Sequence, residues 1–568
     1  MRWLRRFMGA ATFASAVMLT TLVRPGHTRQ PAGGRPAFAG IEPPAAVALA
    51  VAHLKSRVPP ADWTYMRFFF RDGMPDREWE RFHTAFLLHV NLISLYSEPV
   101  RPLLLATPEQ EAAGKQGDLY VLDTRDPRWK LSTFEKLADI DPYYHVLTAE
   151  VKYEEVLEDQ EWPGGVDPTD NKYYKPGTYK VKVKRRVTGD KLNAASFVLL
   201  SREETEEVLK ARKDPAALTT ALAATNIGKL LAMTKSQVPF VRADWFLVQG
   251  SRQLSLNNKQ TGVGYYDWLR LKDRDDFFRL VKLREADSIE IGREIRAVIT
   301  KSGVSQQNRQ VERLQALAGG LYFTLDVKDP TGRGNAAVQL KKGDYLHDAE
   351  EIYGALPNGL PATFLSDAKG VRQDSAPDFI GGDDSPLRLG RDARIHVNIA
   401  CIRCHHGNVL QPLDDYVRRN MNLPQELNTT DYDLRRDFLR QYFSNLNLAL
   451  ANDRLLYWQA VGRLTGVDVL NASRDELKEE SDRVFNAYAG AYNAYVDTPL
   501  KIADVAREHH TTPVKLKGAL LLVRQTTGAL NPALAGLLTS PPDVTLRTSH
   551  EELYQLVETH LRGMVTPP

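Results

Sequence analysis

Cysteine is the scarcest chemistry-bearing residue in this chain, with only two copies among 568 residues. Two cysteines exclude a disulfide-rich scaffold, an iron–sulfur cluster held by four cysteines and a multi-haem electron wire. The sequence also contains no glycine-rich phosphate loop and no nucleophile elbow. Whatever chemistry the chain performs therefore rests on a small number of special residues.

Acidic residues are missing from the first 39 positions, which carry six arginines: Arg2, Arg5, Arg6, Arg24, Arg29 and Arg35. Without those six charges the formal net charge of +3 becomes −3. The remaining body is therefore close to neutral. Its bulk charge gives no argument for binding nucleic acid.

The N-terminus has the pattern of an export signal. A positively charged head precedes an apolar run at 7–23, and residues 37–39 (AFA) fit a small-residue cleavage site. We therefore expect residues 1–39 to be a signal peptide and the protein to reach the periplasm or cell envelope. If it is not cleaved, the apolar run is just long enough to anchor the chain in a membrane. No later segment is apolar for 18 residues without a charge, so we expect no other transmembrane helix.

The rest of the composition is that of a globular protein, with 43% hydrophobic and 26% charged residues. Its length predicts several compact units. The pattern predicts a multi-domain α+β fold with a mixed N-terminal body, a central region and a mainly helical C-terminal region. The expected boundaries are 1–39 for the signal, 40–60 for a linker, 61–300 for the α+β region, 301–425 for the central region and 426–568 for the helical region.

Hydrophobic periodicity predicts the individual elements. In the first half we expect helices at 45–56, 77–96 and 203–235, and strands at 118–122, 146–153, 179–184, 322–327 and 363–365. The C-terminal region is predicted to contain helices at 430–463, 473–497, 499–508, 512–525 and 549–562.

The strongest motif is the sequence CIRCHHGN at 401–408, which contains the Cys-x-x-Cys-His pattern of covalent haem attachment. Cys401 and Cys404, three residues apart on a helix, lie on the same side, where each thiol can join one haem vinyl group. His405 is then expected to be the proximal iron ligand. Two cysteines and a histidine fall into this spacing by chance on the order of 1 time in 12,000.

Three other interpretations of the two cysteines are open. They could form a disulfide, as is usual in oxidising compartments. A zinc site would need two more ligands, and the chain has no second cysteine pair. A redox-active pair would need a strand–motif–helix setting and does not require the histidine that follows here. Covalent haem is favoured because haem attachment and the export signal point to the same compartment. The central region, 301–425, is therefore expected to be the haem-binding region.

The sixth iron ligand is less clearly indicated. His347 is the first candidate, since Asp348 or Glu350 could orient its imidazole. Met421, a short loop beyond the motif, is the second, and an open or water-bound position is the third. His396 has the character of a structural histidine, and His406 would point away from the iron.

Several segments resemble a group of large exported bacterial proteins with one c-type haem motif. Residues 347–352 (HDAEEI), 356–362 (LPNGLPA) and 397–405 (VNIACIRCH) are similar to that group's "His-Asp-Gly-Gly-Glu … Leu-Pro-Asn-Gly-Leu" segment and haem motif. The likeness extends over about 60–425, more weakly over the C-terminal helices, and is most specific from 345 to 415. The resemblance implies export and haem binding and brings His347 near the haem, but it implies no substrate. Here Ala349-Glu350 replaces the group's Gly-Gly.

The sequence therefore predicts an exported cytochrome c-type protein with one covalent haem c that transfers single electrons. One haem carries one electron at a time, so a redox partner protein is required. Two alternatives remain open: a peroxidase-like enzyme with an open iron position, and a haem sensor or envelope-organising protein. The expected partners include no nucleic acid, and a membrane only if the N-terminal run is retained.

Overall fold

The computed structural model describes the chain from residue 40 onward, with internal gaps. The described residues are 40–144, 148–162, 165–166, 173–193, 197–211, 214–253, 255–256, 259–260, 262–283, 295–299, 309–327, 346–376, 396–405, 410, 412–415, 417, 442, 445–496, 498–527, 532–538 and 544–561. All of them belong to one compact unit. The predicted signal peptide lies outside the described residues.

Seventeen helices lie within the described part of the chain. They are α1 Pro43–Arg57, α2 Trp79–Leu92, α3 Pro108–Ala112, α4 Leu131–Glu135, α5 Arg202–Ala211, α6 Pro215–Ala224, α7 Asn226–Thr234, α8 Ala243–Gly250, α9 Tyr265–Leu269, α10 Arg274–Val281, α11 Ile399–His405, α12 Leu446–Thr465, α13 Arg474–Val496, α14 Ile502–Glu508, α15 Pro513–Thr527, α16 Pro532–Ala535 and α17 Arg547–Leu561.

Seventeen strands lie within the same ranges. They are β1 Met66–Phe70, β2 Leu103–Leu105, β3 Leu119–Asp123, β4 Thr148–Trp162, β5 Gly165–Val166, β6 Tyr173–Tyr174, β7 Gly177–Asn193, β8 Phe240–Arg242, β9 Ser255–Leu256, β10 Lys259–Gln260, β11 Ile295–Ile299, β12 Arg309–Ala316, β13 Gly319–Asp326, β14 Ala349–Ala355, β15 Pro361–Asp367, β16 Leu500–Lys501 and β17 Val544–Thr545. This mixture of helices and several sheets confirms the predicted α+β class.

The first sheet has the strand order β2-β3-β1-β8, with β1 antiparallel to β3 and parallel to β8. All five residues of β1 are buried, including Phe68, Phe69 and Phe70. The ring of Phe69 packs 5.4 Å from Phe86 of α2 and 4.6 Å from Phe246 of α8. Because both faces of this strand are covered, its sequence shows no alternation between apolar and polar residues.

A long antiparallel hairpin pairs β4 with β7, with Trp162 opposite Gly177 at its closed end. The two strands have 15 and 17 residues. The strictly alternating segment at 179–184 lies inside β7, which confirms the predicted strand.

The largest sheet is a five-stranded antiparallel meander in chain order, β11-β12-β13-β14-β15. Its two faces differ. Ile352 of β14 belongs to the main hydrophobic core, whereas the next residue, Tyr353, belongs with Tyr322 and Cys401 to a smaller second cluster. Side chains of successive strand residues point to opposite faces, so the second cluster marks the face on which the haem motif lies.

The turn between β14 and β15 is the Leu-Pro-Asn-Gly-Leu segment. The backbone N–H of Leu356 donates to the carbonyl of Leu360 at 2.7 Å, and Gly359 adopts a φ of +84°, which favours glycine. Asn358 donates from Nδ2 to the carbonyl of Asn91 in α2 at 2.9 Å. This part of the resemblance therefore has a structural role, because it closes a hairpin and ties it to α2.

The C-terminal helices are not isolated from the rest of the unit. Helix α13, which has 23 residues, packs against α2, α8, α11 and α12. Helices α14, α15 and α17 enclose a separate apolar cluster that includes Leu516, Leu520 and Val557. Helix α13 thus connects the first sheet with the helix that carries the haem motif.

Most predicted helices are confirmed, and some elements were missed. The segments predicted at 45–56, 77–96, 473–497, 512–525 and 549–562 correspond to α1, α2, α13, α15 and α17, and the one at 203–235 is divided into α5, α6 and α7. Strands β1 and β14 and helix α8 were not predicted. Of the helix predicted at 430–463, the part from 446 onward is described and belongs to α12.

No single helix among the described residues is long and apolar enough to cross a membrane. One bent pair, Ala216–Ala224 with Asn226–Thr234, passes that length and composition test jointly, at an angle of 83°.

Candidate functional site

The haem motif lies on a short helix, α11, whose entry is fixed by Asn398. This asparagine is fully buried and has a φ of +68°, in the left-handed region that asparagine tolerates better than most residues. Its Nδ2 donates to the carbonyl of Ser251 just after α8, at 3.1 Å. The N–H of Ile402 then donates to the carbonyl of Asn398 at 2.8 Å and begins the helix. The direction of α11 is thereby tied to the main core.

Cys401 and His405 meet strand β14 from this helix. The Cys401 side chain is only 3% exposed, and its Sγ lies 4.0 Å from Oε1 of Glu351. The imidazole of His405 packs with its centroid 4.4 Å from the ring of Tyr353. Residues four apart share one face of a helix. The structure therefore brings these two predicted site residues together against one wall, and the backbone of Cys404 lies in the same turn.

Glu351 and Tyr353 belong to a buried charge network that also contains Arg309 and Asp326. We call these four residues the motif cluster. Arg309 donates from Nε and Nη2 to the two carboxylate oxygens of Asp326, at 2.5 and 3.2 Å. Its Nη1 lies 3.4 Å from Oε2 of Glu351, and the hydroxyl of Tyr353 donates to Oε1 of Glu351. Strands β12, β13 and β14 bring these side chains together because they are neighbours in the sheet.

Protonation in the motif cluster reflects one cation shared by two carboxylates. Burial raises the pKa of Asp326 to about 6, against the opposing effect of Arg309. Burial and the adjacent Glu351 carboxylate raise the pKa of Tyr353 well above its ordinary value. Burial lowers the pKa of Arg309, but Asp326 and Glu351 outweigh it, so the net pKa is raised. Arg309 is therefore a fixed cation and Tyr353 a fixed donor.

His347, the first candidate for the sixth ligand, contacts the neighbouring glutamate. Its Nε2 lies 3.0 Å from Oε1 of Glu350, whose Oε2 accepts from the hydroxyl of Ser366 at 2.5 Å. Glu350 and Glu351 are consecutive in β14, so their side chains point to opposite faces of the sheet. The structure thus places the partner of His347 on the face opposite to Cys401. As an iron ligand, His347 stays a prediction.

Of the other methionine and histidine candidates, Met421 and His406 lie outside the described residues. His396 is buried at the start of the motif segment, in an isolated antiparallel bridge with Ser375. Among the described residues there is no group of three or more His, Cys, Asp or Glu side chains arranged to hold a metal ion.

Sequence reasoning missed a second concentration of buried charge, far along the chain from the motif. Arg242, Glu508, Arg547 and His550 meet beside a cavity of about 730 Å³. No short motif announces this group, since 266 residues separate Arg242 from Glu508. The one local signal is the pair His509-His510 after α14, one of two adjacent histidine pairs in the chain.

Comparison of the chain with protein-family models, with curated proteins and with solved structures finds no match.

Proposed function

We propose that this protein is an exported c-type cytochrome that transfers single electrons between partner proteins. Cys401 and Cys404 hold one haem c covalently, and His405 is the proximal ligand. The observation that carries the proposal is the placement of Cys401 and His405 on one helical turn against the buried wall of Glu351 and Tyr353. Export to the periplasm or cell envelope rests on the sequence of residues 1–39.

The donor set fits a covalent haem. Two cysteines three apart, followed directly by a histidine, supply two thioether positions and one iron ligand from a single turn. The second apolar cluster, with Tyr322, Leu446 and Leu450 beside Cys401, gives that turn a largely hydrocarbon surrounding. When bound, the haem supplies reversible one-electron iron chemistry.

The residues around the motif would restrict the rotation of His405 and polarise the haem centre. The ring of Tyr353 packs on the His405 imidazole and limits its rotation. The Tyr353 hydroxyl is itself held by Glu351, and Glu351 by Arg309. A fixed, buried charge distribution close to an iron ligand is one of the means by which proteins set a reduction potential.

A second candidate function is a haem-dependent enzyme of the peroxidase type. The contact between His347 and Glu350, on the opposite face of the sheet from Cys401, favours it. With His347 so held, the sixth iron position would be open to a small molecule unless a residue outside the described ranges fills it.

Covalent pigment tests the proposal directly. The full chain would be produced in a bacterial host that attaches haem to exported cytochromes, and purified protein would be examined by pyridine haemochrome spectrum and by haem staining after denaturing electrophoresis. We expect one haem per chain that acidified acetone does not extract, with the stain lost in the double variant Cys401→Ala/Cys404→Ala. A matched His396→Ala variant should keep it. Colourless wild-type protein, or pigment that survives in the double variant, would contradict covalent attachment.

The spin state then separates the two candidate functions. A six-coordinate low-spin spectrum supports electron transfer, whereas a high-spin iron that binds carbon monoxide or peroxide supports the enzyme. His347→Ala should convert low-spin to high-spin iron if His347 is the sixth ligand. An unchanged low-spin spectrum would remove His347 from consideration and leave Met421 to be substituted next.

A further inference from the structure

A cavity of about 730 Å³ opens between the segment that precedes α2, the C-terminal end of α13 and helix α14. Apolar side chains, including Met74, Phe82 and Leu500, form part of its wall. Arg242, Glu508 and Arg547 form another part. Its volume lies in the range of small-molecule sites, about 300–1,000 Å³. None of these residues belongs to the haem motif or to the motif cluster.

Glu508 is held in one orientation by three donors on a single oxygen. Its Oε2 accepts from Nη1 of Arg242 at 2.9 Å and from Nη1 of Arg547 at 2.6 Å, and it lies 3.0 Å from Nε2 of His550. The side chain is 4% exposed. Burial raises the pKa of Glu508, but Arg242, Arg547 and His550 outweigh it and bring the net pKa well below its ordinary value. Glu508 is therefore an ionised carboxylate.

The guanidinium of Arg242 is in turn fixed by a second carboxylate. Asp244 accepts from its Nε at 2.7 Å and from its Nη2 at 2.8 Å, a bidentate pair. The ring of Tyr143 lies 4.5 Å from the Arg242 Cζ, and the ring of Tyr495 lies 4.4 Å from the Cζ of Arg547. The charged wall is therefore preorganised rather than mobile.

Two charged atoms in this wall have no hydrogen bond within the described part of the chain: Oε1 of Glu508 and Nη2 of Arg547. The two groups form an ion pair through their other branches, with Nη1 of Arg547 2.6 Å from Oε2 of Glu508. Both residues line the cavity and both are at least nine-tenths buried. Leaving a buried ion without its full set of hydrogen bonds is costly, so these atoms suit a ligand that satisfies both.

The other charged residues of the cavity wall already form ion pairs within the protein. These pairs are Asp72 with His510 at 2.6 Å, Arg81 with Glu78, and Arg507 with Asp504 at 2.9 Å. Gly73 has a φ of +62°, and an added Cβ there would lie 3.2 Å from Cγ of Glu508. A side chain at that position would crowd the carboxylate. Glu508 and Arg547 are therefore the charged residues of the wall that can bind a ligand.

We propose that this cavity binds a small zwitterion, an amino acid or short peptide, whose ammonium group donates to Oε1 of Glu508 while its carboxylate accepts from Nη2 of Arg547. A simple anion would be repelled by Glu508, and a simple cation by Arg547. A molecule with both charges a few bonds apart matches both, and charge-assisted hydrogen bonds are about twice as strong as neutral ones. The apolar wall takes the rest of the molecule. The proposal does not depend on haem binding.

Thermal unfolding of the full-length protein tests this proposal with defined probes. Leucine, glutamate, lysine and the dipeptide leucyl-leucine would be added singly at millimolar concentration, beside N-acetylated and C-amidated leucine, glucose and choline. We expect at least one zwitterion to raise the unfolding midpoint by mass action, and its blocked forms to have no effect because each has lost one charge. Glu508→Gln should weaken binding about tenfold or more in calorimetry.

A control and a second variant keep the test decisive. Glu480→Gln removes an ion pair with Arg483 on α13, outside the cavity, and should bind as the wild type does. If Glu508→Gln fails to fold, Ala491→Phe fills the cavity from a half-buried helix position instead and should abolish binding. The proposal is wrong if no zwitterion shifts the wild-type midpoint, if glucose or a blocked leucine binds equally well, or if Ala491→Phe binds like the wild type.

Discussion

The two buried charge clusters share one arrangement and differ in their balance of charge. In each, an arginine bridges two carboxylates: Arg309 joins Asp326 to Glu351, and Arg242 joins Asp244 to Glu508. The cluster beside the cavity adds Arg547 and His550 at Glu508, whereas the motif cluster has a single cation. As a result the pKa of Asp326 is raised to about 6 and that of Glu508 is lowered. The ratio of cations to carboxylates decides which acid can take a proton inside the same unit.

The largest expected effect comes from removing the bridging arginine. Arg242→Met should cost about 3–5 kcal/mol at neutral pH, because it leaves Asp244 and Glu508 buried with less compensation. Arg309→Met should cost less, since Asp326 can become protonated instead. The measurement is the free energy of unfolding in urea for both variants at pH 7 and pH 5. If Arg309→Met is as damaging as Arg242→Met at pH 5, the contrast between the clusters fails.

A smaller effect is expected from pH, with opposite signs in the two clusters. Burial, reinforced by His509 and Arg547, lowers the pKa of His550 to about 4 despite the nearby Glu508. Between pH 6.5 and 4 the unfolded chain then binds a proton that the folded chain does not, so stability falls as pH falls. The contribution is up to about 3 kcal/mol. His550→Gln should remove this acid sensitivity in urea unfolding measured across that window.

Asp326 of the motif cluster is expected to give the opposite dependence of stability on pH. The raised pKa of Asp326 means that the folded state binds the extra proton between about pH 4 and 6, so its contribution to stability falls as pH rises. Asp326→Asn should remove that slope and leave the one due to His550. Slopes of the same sign in both variants would show that the clusters do not differ as described.

The smallest of these effects is expected from the Tyr353 hydroxyl. Tyr353→Phe removes the bond to Glu351 but keeps the ring that packs on His405. A hydrogen bond to a charged group contributes about 1.5–3 kcal/mol, and a free energy of unfolding lowered within that range is expected. The content of the proposed covalent haem, measured on the same sample, should not change. A loss of haem would assign the hydroxyl a part in the site beyond supporting Glu351.

The elements that could be predicted are those whose pattern is local. The helix at 79–92 shows its buried face in the sequence, and residues 401–405 carry their chemistry within a single turn. Strand β1 was missed because both of its faces are buried, which removes the alternation that marks a strand. Helix α8 was missed because its aromatic and β-branched residues have low helix propensity, which packing overrides.

The cavity could not be predicted for a different reason. Its charged wall combines β8 with α14 and α17, and 266 residues separate Arg242 of β8 from Glu508 of α14. Arginines and glutamates scattered at such separations are ordinary in any sequence and acquire meaning only from their contacts. The side of the sheet that His347 contacts was hidden in the same way, since it depends on which of two consecutive glutamates in β14 faces the motif.

The burial of Cys401 has a consequence for how the protein matures. With 3% of its surface accessible and strand β14 directly above it, the thiol is out of reach of any attaching enzyme once the fold is complete. The meander precedes the motif in the chain, so the sheet can assemble while residues 399–405 are still undocked. A covalent cofactor would thus have to be attached before residues 399–405 pack against β14, which sets an order between haem attachment and the docking of this helix.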